Sequence, residues 1–244
     1  MVGWLALVAV WLVLPRGWAR PRRAVVAAGW RLMLAGFGLR ARLHGRIERG
    51  DGVLYVANHV SWTDIPLLGA VLDAPFVAKA DVRGWPVVGA LTQAYGCLFV
   101  EREARGRAGE QAAAVGAHLE DGQRLVLFPE GTTGEGDTVL PFRSSLFALV
   151  GQGARVVQPI TLRYAAPDGR PLDAEGRASV AWLGEETLGP HVARLVRQGG
   201  ARVDIWFEAP IVLADAVGQR PDRKALARAA QAAISARLAA TRAA

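Results

Sequence analysis

Asn58-His59-Val60-Ser61-Trp62-Thr63-Asp64 decides the fold, through what stands on either side of it. Val53-Leu54-Tyr55-Val56-Ala57 before it is a short apolar run and reads as a buried strand. Asp64-Ile65-Pro66-Leu67-Leu68 after it reads as a helix start, with an acid in the first turn. The segment is thus a strand-to-helix turn, a place where a scaffold holds side chains at a rigid edge. An imidazole becomes a useful general base when a carboxylate fixes its tautomer and stabilises its charged form. Asp64 is placed to fold back across the turn to His59 and do this. A histidine at a turn is also commonly a hydrogen-bonded structural residue, and the segment alone leaves both readings open.

A second stretch has the same shape. Leu125-Val126-Leu127-Phe128 is another buried-strand pattern, followed directly by Pro129-Glu130-Gly131-Thr132-Thr133-Gly134-Glu135-Gly136. A Gly- and Thr-rich loop exposes backbone N–H groups and hydroxyls, which suits an anionic, oxygen-rich ligand. It is equally the composition of an ordinary polar turn.

Outward from these stretches the chain alternates. Strands are expected at 53–57, 75–78, 97–101, 124–128, 155–162, 178–183 and 201–208. Helices are expected at 64–72, 86–94, 107–120, 144–152, 190–198 and 222–241, and a surface loop at 165–177. This predicts an α/β fold, a mixed, mostly parallel sheet flanked by helices. Leu226, Ala230, Ile234 and Leu238 recur four apart, so the terminal helix packs one face on the body. In open α/β sheets ligands sit beyond the carboxyl ends of strands. His59 and Glu130 both lie just past such ends, and so do the cations Lys79 and Arg102.

The 244-residue chain is long enough for one large core. Its single cysteine, Cys97, excludes an internal disulfide framework, and its apolar neighbours make it a small core residue. No Cys/His cluster has metal-ligand spacing. The net charge of +7 is uneven: residues 1–47 hold eight arginines and no acid, leaving about −1 for the rest. That distribution argues against a nucleic-acid binder and for a near-neutral domain with a basic, apolar front end.

Met1 to Leu14 carries no charged residue and would span roughly 21 Å as a helix, against a hydrocarbon core of about 30 Å. Arginines and Trp18 follow, suited to an anionic lipid interface. Ala24 to Leu39 is a second apolar stretch, interrupted by Arg31. Residues 1–42 are therefore expected to be a retained, apolar helical membrane anchor dipping into one leaflet, with 43–244 as the working domain on the cytoplasmic face of the inner membrane. A true single span, a cleaved secretory signal and a pair of core helices are the competing readings.

Asn-His-x4-Asp followed by Phe128-Pro129-Glu130-Gly131-Thr132 resembles the glycerolipid acyltransferase family, which includes the 1-acylglycerol-3-phosphate acyltransferases. The resemblance covers about residues 45–210. Gly96-Cys97-Leu98-Phe99-Val100-Glu101-Arg102 matches the family's intermediate block, and Val157-Gln158-Pro159-Ile160 its fourth. The resemblance implies a direct acyl transfer without a covalent enzyme intermediate. His59 would take the proton of a lysolipid hydroxyl, and Asp64 would hold His59 in its productive tautomer. Asn58, Lys79, Arg102, Glu130, Gly131 and Thr132 would bind substrate. Glu130 could instead hold an arginine or a loop N–H in place, or bond a glycerol hydroxyl. Acyl-CoA or acyl carrier protein would be the donor, membrane lipids the surroundings, and no cofactor or metal is implied. Ser61 lacks the Gly-x-Ser-x-Gly elbow of a hydrolase nucleophile.

One departure bears on the acceptor. The family's second motif often continues Gly-Thr-Arg-Ser, whereas this chain reads Gly131-Thr132-Thr133-Gly134, with Arg143 as a later cation. Lysophosphatidic acid, giving phosphatidic acid, is the first expectation, and lyso-ornithine lipid, a zwitterion needing no phosphate clamp, is the second. A silent lipid-binding module and a thioesterase-like hydrolase are the readings of a different class.

Overall fold

The structure is a computed structural model that describes residues 19–84, 89, 92–93, 95–100, 108–148, 153–184, 186–213 and 222–242. In chain order its elements are α1 (Ala19–Gly36), β1 (Leu39–Gly45), β2 (Val53–Ala57), α2 (Asp64–Gly69) and β3 (Val77–Lys79). Next come β4 (Leu98–Val100), α3 (Ala108–Glu120), β5 (Leu125–Leu127), α4 (Ser144–Phe147) and β6 (Val156–Ala165). The chain continues through α5 (Ala174–Val180), α6 (Leu188–Arg197), β7 (Ala201–Phe207), β8 (Ile211–Val212) and α7 (Arg223–Arg242).

The main sheet runs β1-β7-β6-β2-β5, with β8 on β6. The pairs β1/β7, β2/β6 and β2/β5 are parallel, and β6 is antiparallel to β7 and β8. The parallel pair β3/β4 continues the sheet, since Phe76 bridges to Val126 and the Val126 N–H donates to the Pro75 carbonyl at 2.8 Å. This is the mixed, mostly parallel α/β sheet that the alternation predicts.

Strand β2 is buried along its whole length, as the central strand of a sheet covered on both faces must be. Its side chains alternate between two cores. Tyr55 and Ala57 join Trp30, Leu34, Leu67 and Leu68 on the α1/α2 face. Leu54 and Val56 join Leu119, Ile234 and Leu238 on the α3/α7 face. The predicted stripe of α7 is buried, and each large apolar side chain so removed from water contributes about 1.5–3 kcal/mol. Cys97 is buried in the first core, and burial pushes its thiol up to about 12.

Three sequence expectations are corrected. The strand expected at 178–183 is instead the end of α5 and an extended exit. Asp173 caps that helix, its carboxylate accepting from the Gly176 N–H at 2.8 Å, so an N-cap overrides the apolar run after it. The loop expected at 165–177 correspondingly ends where α5 begins. Leu39–Gly45 is an edge strand paired along its length with β7, so the boundary expected between residues 42 and 43 falls inside a strand of the main sheet. The helix expected at 86–94 and the end of that expected at 144–152 lie largely outside the described residues.

The second apolar stretch, within α1, turns Trp30 and Leu34 into the core. Two of its arginines dock it. Arg31 donates to the Ala70 carbonyl at the end of α2 at 2.9 Å, and Arg23 pairs with Asp73 at 3.1 Å. A cation at a helix carboxyl end satisfies an open carbonyl and complements the dipole. Among the described residues no helix is long and apolar enough to cross a membrane. Residues 1–18, where the first apolar run lies, are outside the described residues.

Candidate active site

The turn after β2 closes on Asp64, which is wholly buried. One carboxylate oxygen, Oδ2, meets His59 Nδ1 at 2.8 Å and accepts the backbone N–H groups of Val60 at 2.7 Å and Ser61 at 3.0 Å. The other, Oδ1, accepts the Tyr164 hydroxyl at 2.6 Å, and that hydroxyl also meets Thr63 Oγ1 at 2.6 Å. Desolvation, with Asp64 beside it, pushes the Tyr164 phenol well up, so it stays a neutral donor. With Nδ1 committed to Asp64, the basic lone pair of a neutral His59 is on Nε2. The ring lies flat on Phe128, centroids 4.1 Å apart, and its side chain is 18% exposed. The arrangement is an oriented imidazole at the mouth of a strand-to-helix turn, able to take a proton from a hydroxyl.

The loop after β5 grips the peptide groups of the same histidine. Glu130 is buried; Oε1 accepts the His59 N–H at 2.8 Å and Oε2 the Leu140 N–H at 3.0 Å. The Gly134 N–H donates to the His59 carbonyl at 2.8 Å. Burial pushes the Glu130 carboxyl from 4.5 to about 7, against the two N–H donors that favour its charge. Gly136 has φ +87°, and a Cβ there would come within 3.1 Å of the Val60 side chain, so only glycine lets the loop lie this close.

The remaining sequence candidates divide. Asn58 is buried, its amide donating to the Leu162 carbonyl at 3.0 Å and accepting the Leu162 N–H at 2.8 Å. It extends the β2/β6 ladder past the end of β2 and faces no open space. Gly131 takes the turn at φ +76° and donates to the Phe128 carbonyl at 3.2 Å. Thr132 is exposed beside it, and Lys79 stands exposed at the carboxyl end of β3. Arg102 lies outside the described residues. Ser61 is fully buried, its hydroxyl without a hydrogen-bond partner among the described residues, in no position to act as a nucleophile.

Thr133 points back into the protein. Its hydroxyl donates to the Trp182 carbonyl, and the Trp182 N–H donates to the Val60 carbonyl at 3.0 Å. Trp62 Nε1 donates to His191 Nδ1 at 3.0 Å, and burial lowers His191 so that this nitrogen stays an acceptor. The segment between β6 and β7 is thereby laced to the turn that carries His59 and Asp64. Sequence reasoning missed Tyr164 altogether: it lies 100 residues from Asp64, inside an apolar strand, with no local signal.

The acyltransferase family model matches residues 40–163. A lyso-ornithine lipid O-acyltransferase from Rhizobium meliloti (strain 1021) is 39% identical over 77% of this chain and 67% of its own length. One of the same name from Brucella abortus (strain 2308) is 36% identical over 90% of this chain and 82% of its own. A 1-acyl-sn-glycerol-3-phosphate acyltransferase from Neisseria gonorrhoeae is 35% identical over 73% and 66%. The crystal structure of the 1-acyl-sn-glycerophosphate acyltransferase PlsC from Thermotoga maritima superposes with TM-score 0.66 at 17% identity, covering 98% of this chain and 88% of that one, a likeness of fold. The chain is a member of the acyltransferase family. Within it, the chain belongs with the lysolipid acyltransferases.

Proposed function

We propose that the protein moves a fatty acyl group from a thioester donor, acyl-CoA or acyl carrier protein, to the hydroxyl of a lysolipid. His59 is the general base and Asp64 fixes its tautomer. The observation that carries the reading is the His59 Nδ1–Asp64 Oδ2 contact at 2.8 Å with Nε2 directed away from it. His59 Nε2 removes the hydroxyl proton as the oxygen attacks the thioester carbonyl. The thiolate leaves, and the proton passes to it from the imidazolium. No acyl-enzyme is formed.

Lyso-ornithine lipid is the acceptor we favour, reversing the order expected from sequence. Relatives of that name match at greater coverage, and Thr133 is tied to Trp182 where a phosphate-binding arginine would otherwise be supplied. Lysophosphatidic acid is the second reading, supported by the relatives named for it and by the exposed Lys79. Residues 1–18 and the basic front end are proposed to hold the enzyme at the cytoplasmic face of a membrane.

His59→Ala is the test. Acyl transfer should fall by about 10²–10⁴-fold, the usual contribution of a positioned base. Thermal unfolding should be nearly unchanged. Unaltered transfer in a folded variant would overturn the mechanism. Competition between the two lysolipids, with products resolved by mass, decides the acceptor.

A further inference from the structure

Beside the catalytic turn lies a cavity of about 170 Å³, the room of five or six waters at about 30 Å³ each. Its wall includes Val60, Glu135, Asp137, Arg163, Arg177 and Arg242. Four separate parts of the chain build it: the turn after β2, the 135–137 loop, the end of β6 with α5, and the last turn of α7. Tyr164, whose hydroxyl holds Asp64, forms part of the same wall. The cavity is thus continuous with the groups that orient His59.

Its charges are unevenly satisfied. Arg177 pairs with Asp137 at 3.3 Å and fixes one side. Arg163 is half-buried, and its side chain makes no hydrogen bond or ion pair among the described residues; neither do the exposed side chains of Glu135 and Arg242. A guanidinium on a cavity wall with no anion on the protein is open to an incoming carboxylate or phosphate, which its planar fork of donors matches. Glu135 and Asp137 beside it set the sign of the rest of the ligand. A phosphate monoester would bring added negative charge against both acids. A head group with one carboxylate and one amine complements Arg163 and Arg242 on one side and Glu135 on the other.

We propose that this cavity seats the zwitterionic amino-acid head group of the acceptor lipid, its carboxylate on Arg163 and Arg242 and its ammonium on Glu135. The proposal rests on the acyl-transfer reading above, and names what selects the acceptor. The loop that carries Glu135 is the loop whose Gly134 N–H holds the His59 carbonyl, so a head group seated here lies against the turn that carries the base. Thr133, two residues before Glu135, ties that loop to Trp182.

The test uses the full-length protein in detergent micelles with a single acyl donor. In Arg163→Gln, KM for lyso-ornithine lipid should rise roughly tenfold or more, the loss of one charge-assisted hydrogen bond. The kcat should stay within about threefold, because a contact made equally in ground and transition states acts on KM. Glu135→Gln, on an exposed loop residue, should act in the same direction and carries the test if Arg163→Gln unfolds. KM for lysophosphatidic acid should move much less in either variant. Unchanged KM for lyso-ornithine lipid in both, in a preparation whose wild type turns it over, overturns the cavity and leaves acyl transfer standing.

A wild type that acylates no lysolipid would overturn the acyl-transfer reading instead. Binding without turnover then decides the cavity. Titration with Nα-acetyl-ornithine, followed by NMR, should saturate in the wild type and fail in Arg163→Gln. Equal binding in both proteins, no binding in either, or preference for inorganic phosphate overturns the assignment.

Discussion

Two loops leave neighbouring parallel strands at one edge of the sheet, and they are fixed in opposite ways. The turn after β2 is ordered mostly from within: Asp64 accepts the N–H groups of Val60 and Ser61 and the His59 ring, all within six residues. The loop after β5 is ordered mostly from outside. Glu130 and Gly134 clasp the His59 peptide groups, and Thr133 reaches Trp182. On the proposed reading, the base sits where order is local, and the loop proposed to meet the ligand borrows its order from distant segments. Such a division lets acceptor preference change while the base stays in place.

The largest effect is expected from breaking the local turn. Asp64→Asn replaces an acceptor-only oxygen with an amide, so kcat should drop about 10²–10³-fold with little change in KM. A loss no larger than that of the loop variants would erase the contrast between the two regions.

Glu130→Gln tests the borrowed loop through pH. The Glu130 carboxyl titrates near 7 when folded and at 4.5 when not, so the folded protein binds more protons between those values. Its contribution to stability is present below about pH 4.5, falls as pH rises through this window, and levels off above 7. Over the window the loss is about 3 kcal/mol. Denaturant unfolding at both ends should show this slope in the wild type and its near-absence in Glu130→Gln.

Tyr164→Phe removes one donor from Asp64 and leaves His59 and both backbone donors untouched. Stability should fall by about 2 kcal/mol, typical of a hydrogen bond to a charged group, and kcat by about tenfold. The smallest effect belongs to Thr133→Val, about 1 kcal/mol in unfolding. Its signature should be a changed ratio of acylated products with kcat for the better acceptor preserved.

The same contrast governs what the sequence made legible. Strand β2 and the start of α2 were readable, because a buried strand and an acid in a first helical turn leave local marks. The exact span of β2 and the pairing of His59 with Asp64 both follow from neighbours in sequence. Strand β1 is missed although Leu39, Ala41 and Leu43 alternate with Arg40, Arg42 and His44: it is a short edge strand whose side chains are mostly exposed, and its first residues read as the end of the membrane anchor. The run Ser179-Val180-Ala181-Trp182-Leu183 looked like a strand because it is apolar, yet Asp173 had already started a helix. Tyr164 and the inward turn of Thr133 depend on partners 100 and 49 residues away, and no window along the chain contains them. Asn58 stands in the motif but serves the β2/β6 ladder, a role visible only once Leu162 is placed beside it.

The pairing of β1 has a consequence for how the protein is made. Leu39–Gly45 has β7 as its sheet partner, and Ala201–Phe207 leave the ribosome 162 residues later. At about 5–20 residues per second, roughly 8–30 s pass before the partner strand exists. Through that interval the amino-terminal helix is tethered to a strand without a mate, and its apolar face has no completed sheet to cover. The nascent chain thus carries a timed window in which α1 and β1 wait for their sheet partner, and the arrival of β7 closes it.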